Sequence, residues 1–259
     1  MKIFARSLLL LLMVFPLFAQ SATFEEGRNY QRIVPAQPTE GKGKIEVVEL
    51  FWYGCPHCYR FQPYMARWLK NKPADVVYRR MPAILGEHWA LLARAFYTAE
   101  ALGIADRIHQ PLFDAIHAEK RRMDSEAALE AFFAEQGVSK DDFRNTFNSF
   151  AVNAKVNRAR EMSRRYQAQA TPSVVINGKY ILNPDNSDGN FNTMIKIMDY
   201  LIDKERAREM SRRYQAQATP SVVINGKYIL NPDNSDGNFN TMIKIMDYLI
   251  DKERAENKG

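Results

Sequence analysis

The sequence predicts an α/β domain that carries an inserted block of helices. Three observations indicate this fold class. A strand–helix–strand pattern covers residues 46–80, helical patterns fill residues 85–166, and strand-forming residues return after residue 170. Because a strand–helix–strand connection favours two parallel strands joined by a crossover, we expect part of the sheet to be parallel.

The first pattern consists of a strand and the helix that follows it. Residues 44–51 form a run of β-branched and aromatic side chains, which predicts a mostly buried strand. Gly54 ends this strand, and Pro56 suits the first position of a helix because its missing N–H has no partner there. Residues 76–80 predict a second strand.

The middle of the chain predicts helices alone. These patterns are rich in Ala, Leu, Phe and Glu, and they cover residues 87–102, 105–117, 125–136 and 140–166. A hairpin over residues 173–182 follows, because Asn177-Gly178 provides two turn residues that tolerate a positive φ. A final amphipathic helix is predicted over residues 191–204.

Composition and charge exclude several classes of protein. The 259 residues are 46% hydrophobic and 25% charged, which excludes a collagen-like, fully disordered or polytopic membrane protein. The net charge of +6 is spread along the chain, too diffusely to indicate nucleic-acid binding. With only two cysteines, the chain is not a scaffold held together by several disulfides.

The N-terminus is typical of a secretory signal peptide, which we place at residues 1–21. Lys2 and Arg6 give the positive start, residues 7–18 form an apolar run, and Ala19-Gln20-Ser21 offers small residues for cleavage. A membrane anchor is the alternative, but this run is shorter than the ~20 apolar residues that a spanning helix needs. We therefore expect an exported protein, located in an oxidising bacterial periplasm.

The C-terminal part of the chain contains an exact repeat. Residues 158–205 recur unchanged as residues 206–253. Solenoid repeats diverge and usually number three or more, so two identical copies indicate a recent tandem duplication or an error of sequence assembly. We expect residues 22–84 and 167–205 to form the main domain, with residues 85–166 as the helical insertion. The second copy then belongs to a tail over residues 206–259, although it could dock in place of the first.

Cys55-Pro56-His57-Cys58 lies where the first strand leads into a helix. Unpaired N–H groups at a helix N-terminus favour an anion, so we expect Cys55 to have a lowered pKa and to be the reactive thiolate. His57 is expected to add to this effect. Cys58, one turn further along, is expected to be buried and to pair with Cys55.

Two other interpretations of the cysteine pair are weaker. Half of a zinc site is one, but further ligands are needed, and His88, His109 and His117 are predicted on other helices. A purely structural disulfide is the second, but a bridge that closes so small a loop constrains the unfolded chain little. A redox-active pair with no metal and no cofactor is therefore favoured.

Residues 49–59, Thr171-Pro172 and residues 177–180 together resemble the DsbA family of periplasmic thiol:disulfide oxidoreductases. The resemblance implies a thioredoxin-like fold with an inserted all-helical domain, an acidic Cys55 and an oxidising disulfide. It also implies a monomer that acts on unfolded exported proteins and is reoxidised by a DsbB-like membrane partner. Nucleic acid is not an expected partner.

The resemblance also implies roles for individual residues. Cys55 is the sulfur that a substrate thiolate attacks, Cys58 is its partner, and Pro56 and His57 tune the pair. Thr171-Pro172, repeated as Thr219-Pro220, resembles a cis-proline loop that pairs with the substrate backbone. The alternative for this dipeptide is an ordinary start of an edge strand.

Glu49 matches a buried acid that is thought to move protons near Cys58, although an outward-facing strand residue is the alternative. The chain departs from the family where Gln62 replaces a second acid and where Thr171 replaces a frequent Val. Alternative functions are a reductase or isomerase of the same fold, or a peptide-binding chaperone whose catalysis the duplication has impaired.

Overall fold

A computed structural model describes residues 24–214, 220–235 and 237–256. The predicted signal peptide over residues 1–21 and Thr219 lie outside the described residues. Within the described part of the chain, no helix is long and apolar enough to cross a membrane.

A five-stranded mixed sheet forms the centre of the fold, in the order β1-β5-β4-β2-β3. Its strands are β1 (Gln31–Arg32), β2 (Ile45–Phe51), β3 (Val76–Pro82), β4 (Ser173–Ile176) and β5 (Tyr180–Leu182). β2 pairs in parallel with β3, and the other pairs are antiparallel. The predicted α/β class with a partly parallel sheet is therefore confirmed.

Helices cover both faces of the sheet. They are α1 (Pro56–Lys70), α2 (Ala90–Ala101), α3 (Ala105–His117), α4 (Glu126–Glu135), α5 (Lys140–Phe147), α6 (Phe150–Arg165) and α7 (Phe191–Arg213). One apolar core joins one face of β2 to α2–α6. A second core lies between the other face, α1 and α7. The inserted helices thus share a core with the strand that leads to the cysteine motif.

The helix predicted over residues 140–166 is in fact two helices. α5 ends at Phe147, and Ser149 caps the start of α6 by accepting a hydrogen bond from the N–H of Val152. A serine that caps a new helix offers the backbone a better partner than continuation of the old one. Phe150 is consequently 86% exposed instead of lying on a buried stripe.

The first copy of the repeat supplies β4, β5 and the part of α7 up to residue 205, whereas the second copy begins with the end of α7 and continues as elements of its own. Its elements are β6 (Val222–Ile224), β7 (Tyr228–Leu230) and α8 (Phe239–Glu256). Strands β6 and β7 form a two-stranded sheet of their own. They pack with α8 around a small cluster centred on Ile224, Leu230 and Met242.

The turn between β4 and β5 requires a glycine at position 178. Gly178 has a positive φ, and a Cβ on it would collide with the carbonyl of Gln37. The backbone N–H of Gln37 also donates to the carbonyl of Gly178, at 2.8 Å. The Asn-Gly turn predicted from the sequence therefore also holds the N-terminal segment against the sheet.

Candidate functional site

Cys55 is the residue that caps the N-terminus of α1. Its backbone is extended, and its sulfur accepts a hydrogen bond from the backbone N–H of Cys58, with N–Sγ 3.4 Å. Pro56 occupies the first turn, where its missing N–H costs no hydrogen bond. The glycine before the motif is also constrained, because a Cβ on Gly54 would collide with the Trp52 indole. The local sequence thus places one sulfur at the positive end of a helix.

The pKa of Cys55 is lowered to about 5. The largest cause is a hydrogen bond from the thiol of Cys58, and burial of Cys55 opposes it. The Thr171 side chain and then the backbone N–H groups of Cys58 and His57 lower the pKa further. Sequence reasoning identified the helix terminus but missed the contribution of the Cys58 thiol.

The two cysteines differ in environment although only two residues separate them. Cys58 is fully buried and Cys55 is 8% exposed. Burial raises the pKa of Cys58 well above its ordinary value, and the neighbouring Cys55 raises it further. At neutral pH the reduced pair therefore holds one thiolate, on Cys55, and one proton, on Cys58.

His57 acts on Cys55 through its backbone and not through its ring. Its side chain is exposed, and its Nδ1 lies 3.0 Å from the guanidinium of Arg60. The group of His57 that lowers the pKa of Cys55 is the backbone N–H. The expected contribution of His57 to the low pKa of Cys55 is therefore made by its N–H.

The loop before β4 lies against the motif. The Thr171-Pro172 peptide bond is cis, and the carbonyl oxygen of Thr171 lies 3.2 Å from Sγ of Cys55. The loop is held there because Ser173 pairs with Leu50 in the central strand β2. β4 lies between β2 and β5, so it is not an edge strand. In the second copy, Pro220 is exposed and precedes β6 instead.

Glu49 is a fully buried acid on β2. Its carboxylate accepts hydrogen bonds from Gln62, with Nε2–Oε1 2.9 Å, and from the hydroxyl of Tyr78. Burial raises its pKa, and the hydrogen bonds and Arg80 partly oppose that shift. The same Gln62 nitrogen lies 3.5 Å from the carbonyl of Cys58, so one amide links the acid to the motif. The alternative of an outward-facing strand residue is wrong.

Helix α3 of the insertion contributes residues that sequence reasoning did not assign to the site. His109 hydrogen-bonds to the hydroxyl of Tyr53, with Nδ1–O 3.0 Å, and to Gln62 through Nε2, at 3.1 Å. His117 donates from Nε2 to the carbonyl of Tyr53, at 2.8 Å, and stacks on Tyr59. The two histidines lie eight residues apart on one helix face, and this spacing was the available signal.

A groove of about 670 Å³ lies beside the motif. Its lining is largely aromatic and polar and includes His57, Tyr59, Tyr64, Gln110, Pro184 and Phe191. Among the described residues, no group of His, Cys, Asp or Glu is arranged to hold a metal ion. The cysteine motif thus borders, through His57, a groove with several aromatic side chains.

Comparisons with a family model and with known proteins indicate the same family. A family model of a DSBA-like thioredoxin domain matches residues 75–193. The chain is 38% identical over 192 residues to the thiol:disulfide interchange protein DsbA of Pseudomonas aeruginosa, covering 74% of this chain and 90% of that protein.

Solved structures agree. The crystal structure of Pseudomonas aeruginosa DsbA superposes with a TM-score of 0.68 at 39% identity, covering 71% of this chain and 96% of that one. The oxidoreductase DsbA from Xylella fastidiosa gives a TM-score of 0.64 at 35% identity, with 69% and 95% covered. These matches span nearly all of the relatives but about 70% of this chain, which carries residues 158–205 twice.

Proposed function

The chain belongs to the DsbA family of thiol:disulfide oxidoreductases, and we propose that it oxidises exported proteins in the periplasm with a disulfide between Cys55 and Cys58. The observation that carries this proposal is the place of Cys55 as the N-terminal cap of α1, where its sulfur accepts the backbone N–H of Cys58 at 3.4 Å and its pKa is lowered to about 5. A thiolate that is stabilised in the reduced protein makes the reduced form more favourable and the disulfide more oxidising. The enzyme needs no cofactor for this exchange.

The proposed reaction has two exchanges. A substrate thiolate attacks Sγ of Cys55, so an S–S bond forms to the substrate while the Cys55–Cys58 bond breaks and Cys58 takes up a proton. The second thiolate of the substrate then attacks the substrate sulfur of this mixed disulfide. A disulfide forms within the substrate, and Cys55 leaves as a thiolate. Two electrons pass from substrate to enzyme, and the low pKa of Cys55 makes it the better leaving group.

Glu49 is the proposed proton acceptor when Cys58 must lose its proton during reoxidation. The acid is fully buried, and the amide of Gln62 bridges it to the carbonyl of Cys58. A DsbB-like membrane protein is the proposed oxidant, since the mature enzyme must recover its disulfide after each turnover.

Substrate contacts are proposed for two places next to Cys55. The backbone of Thr171, whose carbonyl lies 3.2 Å from the sulfur of Cys55, is proposed to pair with an extended substrate, as in β-strand addition. The groove that includes Tyr59 and Phe191 then receives flanking apolar side chains. Since the motif, the loop and the groove all lie in one chain, the proposed site needs no residue of a second subunit, and we propose a monomer.

The domain boundaries are part of the proposal. Residues 22–84 and 167–205 make up the thioredoxin-like domain, and residues 85–166 make up the insertion. The first repeat copy supplies Pro172, strand β4, which pairs with β2, and strand β5, which pairs with β4, so we propose that residues 206–259 are a tail outside the catalytic domain.

Oxidative refolding of reduced ribonuclease by the oxidised full-length protein tests the function. We expect stoichiometric transfer of one disulfide per enzyme, and none from C55S or C58S, because neither variant can form the Cys55–Cys58 bond. A reduction potential as low as that of thioredoxin would indicate the reductase alternative. Refolding help that persists when both cysteines are replaced by serine would indicate the chaperone.

A further inference from the structure

A continuous series of hydrogen bonds joins the helical insertion to the buried acid. The hydroxyl of Tyr53 lies 3.0 Å from Nδ1 of His109, and Nε2 of His109 lies 3.1 Å from Oε1 of Gln62. Nε2 of Gln62 lies 2.9 Å from Oε1 of Glu49. All four side chains are buried, with His109 only 3% exposed.

The proton positions in this series follow from the chemistry of each group. Burial raises the pKa of Tyr53 far above neutrality, so its hydroxyl keeps its proton and can donate to Nδ1 of His109. Burial, and then the charge of Arg80, lower the pKa of His109, so its ring is neutral and carries a single proton. Since Nδ1 accepts, we assign that proton to Nε2, which donates to Oε1 of Gln62.

We propose that His109 is a positioning residue: it fixes the amide of Gln62 so that the nitrogen faces Glu49, and thereby sets the proton affinity of that acid. The proposal rests on the proton-accepting role proposed above for Glu49. It assigns a function in the redox site to a residue of the inserted helices.

The amide of Gln62 has two possible orientations, and His109 decides between them. In the observed orientation the amide oxygen accepts from the ring and the amide nitrogen donates to Glu49. Rotation by 180° would set the amide nitrogen against the ring N–H and the amide oxygen against the carboxylate. With the ring proton on Nε2 and Glu49 ionised, both contacts would be repulsive in a buried place, so the ring locks the amide.

Other groups around Glu49 act on it independently of His109. From β3, the hydroxyl of Tyr78 donates to the second carboxylate oxygen, and the charge of Arg80 attracts the carboxylate. Arg80 also faces His109, and it is paired with Asp106 at 2.7 Å. The amide of Gln62 from α1 is therefore the donor whose direction the insertion controls.

An open cavity on one side of this network has room for solvent water. A cavity of about 480 Å³ between α1 and α3 is lined by polar groups that include Gln62, Arg80, Asp106 and His109. Glu49 itself is fully buried, so the pair formed by Gln62 and His109 lies between its carboxylate and this water. Rotation of the Gln62 amide would therefore change proton exchange between Glu49 and this water.

Two substitutions of His109 separate its two hydrogen bonds. The amide of glutamine can replace Nε2 of the ring, whereas the amide of asparagine reaches only the position of Nδ1. We expect H109N to raise the pKa of Glu49 by one unit or more, a tenfold change in its ionisation equilibrium, and H109Q to change it by less than 0.3 unit. The measurement is a carbon-13 NMR titration of labelled glutamate in the reduced full chain, assigned with E49Q.

A double-mutant cycle tests whether the effect passes through Gln62. Q62L should raise the pKa of Glu49 as H109N does, and H109N should add nothing in a Q62L background. An unchanged Glu49 titration in H109N, equal shifts in H109N and H109Q, or additive shifts in the double variant would each overturn the proposal.

One further measurement needs no substitution. Nitrogen-15 shifts of His109 in the wild-type protein should show a proton on Nε2 and none on Nδ1, and the opposite tautomer would overturn the proposal even if a variant failed to fold. Reoxidation rates of E49Q are measured separately. A normal rate in E49Q would disprove the proton-accepting role of Glu49 but not its coupling to His109.

Discussion

The carbonyl oxygen of Thr171 lies 3.2 Å from the sulfur of Cys55, although 116 residues separate them in the chain. Pairing of β4 with β2 brings them together, because Ser173 is opposite Leu50. The reactive sulfur is thus surrounded by a helix terminus on one side and a strand terminus on the other.

Titration of the reduced protein, followed by thiolate absorbance in the ultraviolet, should show a transition near pH 5 from Cys55. The thiol of Cys58 is the largest cause of this low pKa, so the substitution at Cys58 matters. C58A removes the donor and should raise the pKa of Cys55, whereas C58S keeps a hydroxyl donor and should raise it less. Equal titrations in the two variants would contradict the assigned cause.

The stability of the reduced protein should rise with pH between 5 and 8. The pKa of Cys55 is lower in the folded state, about 5, than its ordinary value of 9.0, so the unfolded state binds more protons in this range. At pH 7 the full difference is ~2.7 kcal/mol, and solvent screening at the helix terminus reduces the expected gain to about 2 kcal/mol. Urea unfolding of the reduced wild type and C55A at several pH values measures this gain, and parallel pH dependences would refute it.

Replacing Thr171 with valine should raise the pKa of Cys55, because the Thr171 side chain lowers it. The neighbouring carbonyl contact is made by the backbone and should persist. The repeat supplies a matched control in T219V, which makes the same chemical change in the second copy. We expect T219V to titrate like the wild type, and a comparable shift in both variants would show that the second loop can also reach the sulfur.

Matched substitutions in the two copies of the repeat also test which copy stabilises the catalytic domain. Leu201 is fully buried against the sheet, whereas its counterpart Leu249 is only partly buried in the second copy. L201A should destabilise the catalytic domain by about 2–5 kcal/mol, as expected for a large-to-small change in a core. L249A should leave the main unfolding transition within about 0.5 kcal/mol. A larger effect of L249A on that transition would show that the second copy is part of the domain.

Deletion of residues 206–253 leaves a chain of 211 residues, since 259 − 48 = 211. We expect this shortened protein to transfer its disulfide at a rate within twofold of the full chain, because β4, β5 and Thr171 belong to the first copy. The rate of oxidation of a reduced dithiol peptide measures this. Loss of activity with retained folding would assign a catalytic role to the second copy.

The sequence predicted the features that depend on local patterns. The strand over residues 44–51, the helix after Pro56 and the Asn-Gly turn each follow from a short run of residues, and each is found in the structure. The break at Ser149 was missed, because a helical apolar pattern on both sides of the break outweighed a single capping residue. Caps of this kind are decided by one hydrogen bond that periodicity does not reveal.

The network around Glu49 could not be predicted in full, because it depends on contacts between distant segments. Gln62 was recognised only as a departure from the family, and its partner His109 lies 47 residues further along, on a helix of the insertion. Pairing of those two side chains requires the docking of α3 on α1, which no local pattern specifies. Likewise, the Cys58 thiol acts on Cys55 through side-chain geometry that the motif alone does not state.

The two copies of the repeat share one internal brace. In the first copy Glu205 pairs with Asn177 and Lys179, and in the second Glu253 pairs with Asn225 and Lys227. The hairpin and its following helix thus keep their mutual arrangement with or without the large sheet beside them. Because this brace uses only residues of the repeated segment, each copy brings with it the contacts that join its hairpin to its helix.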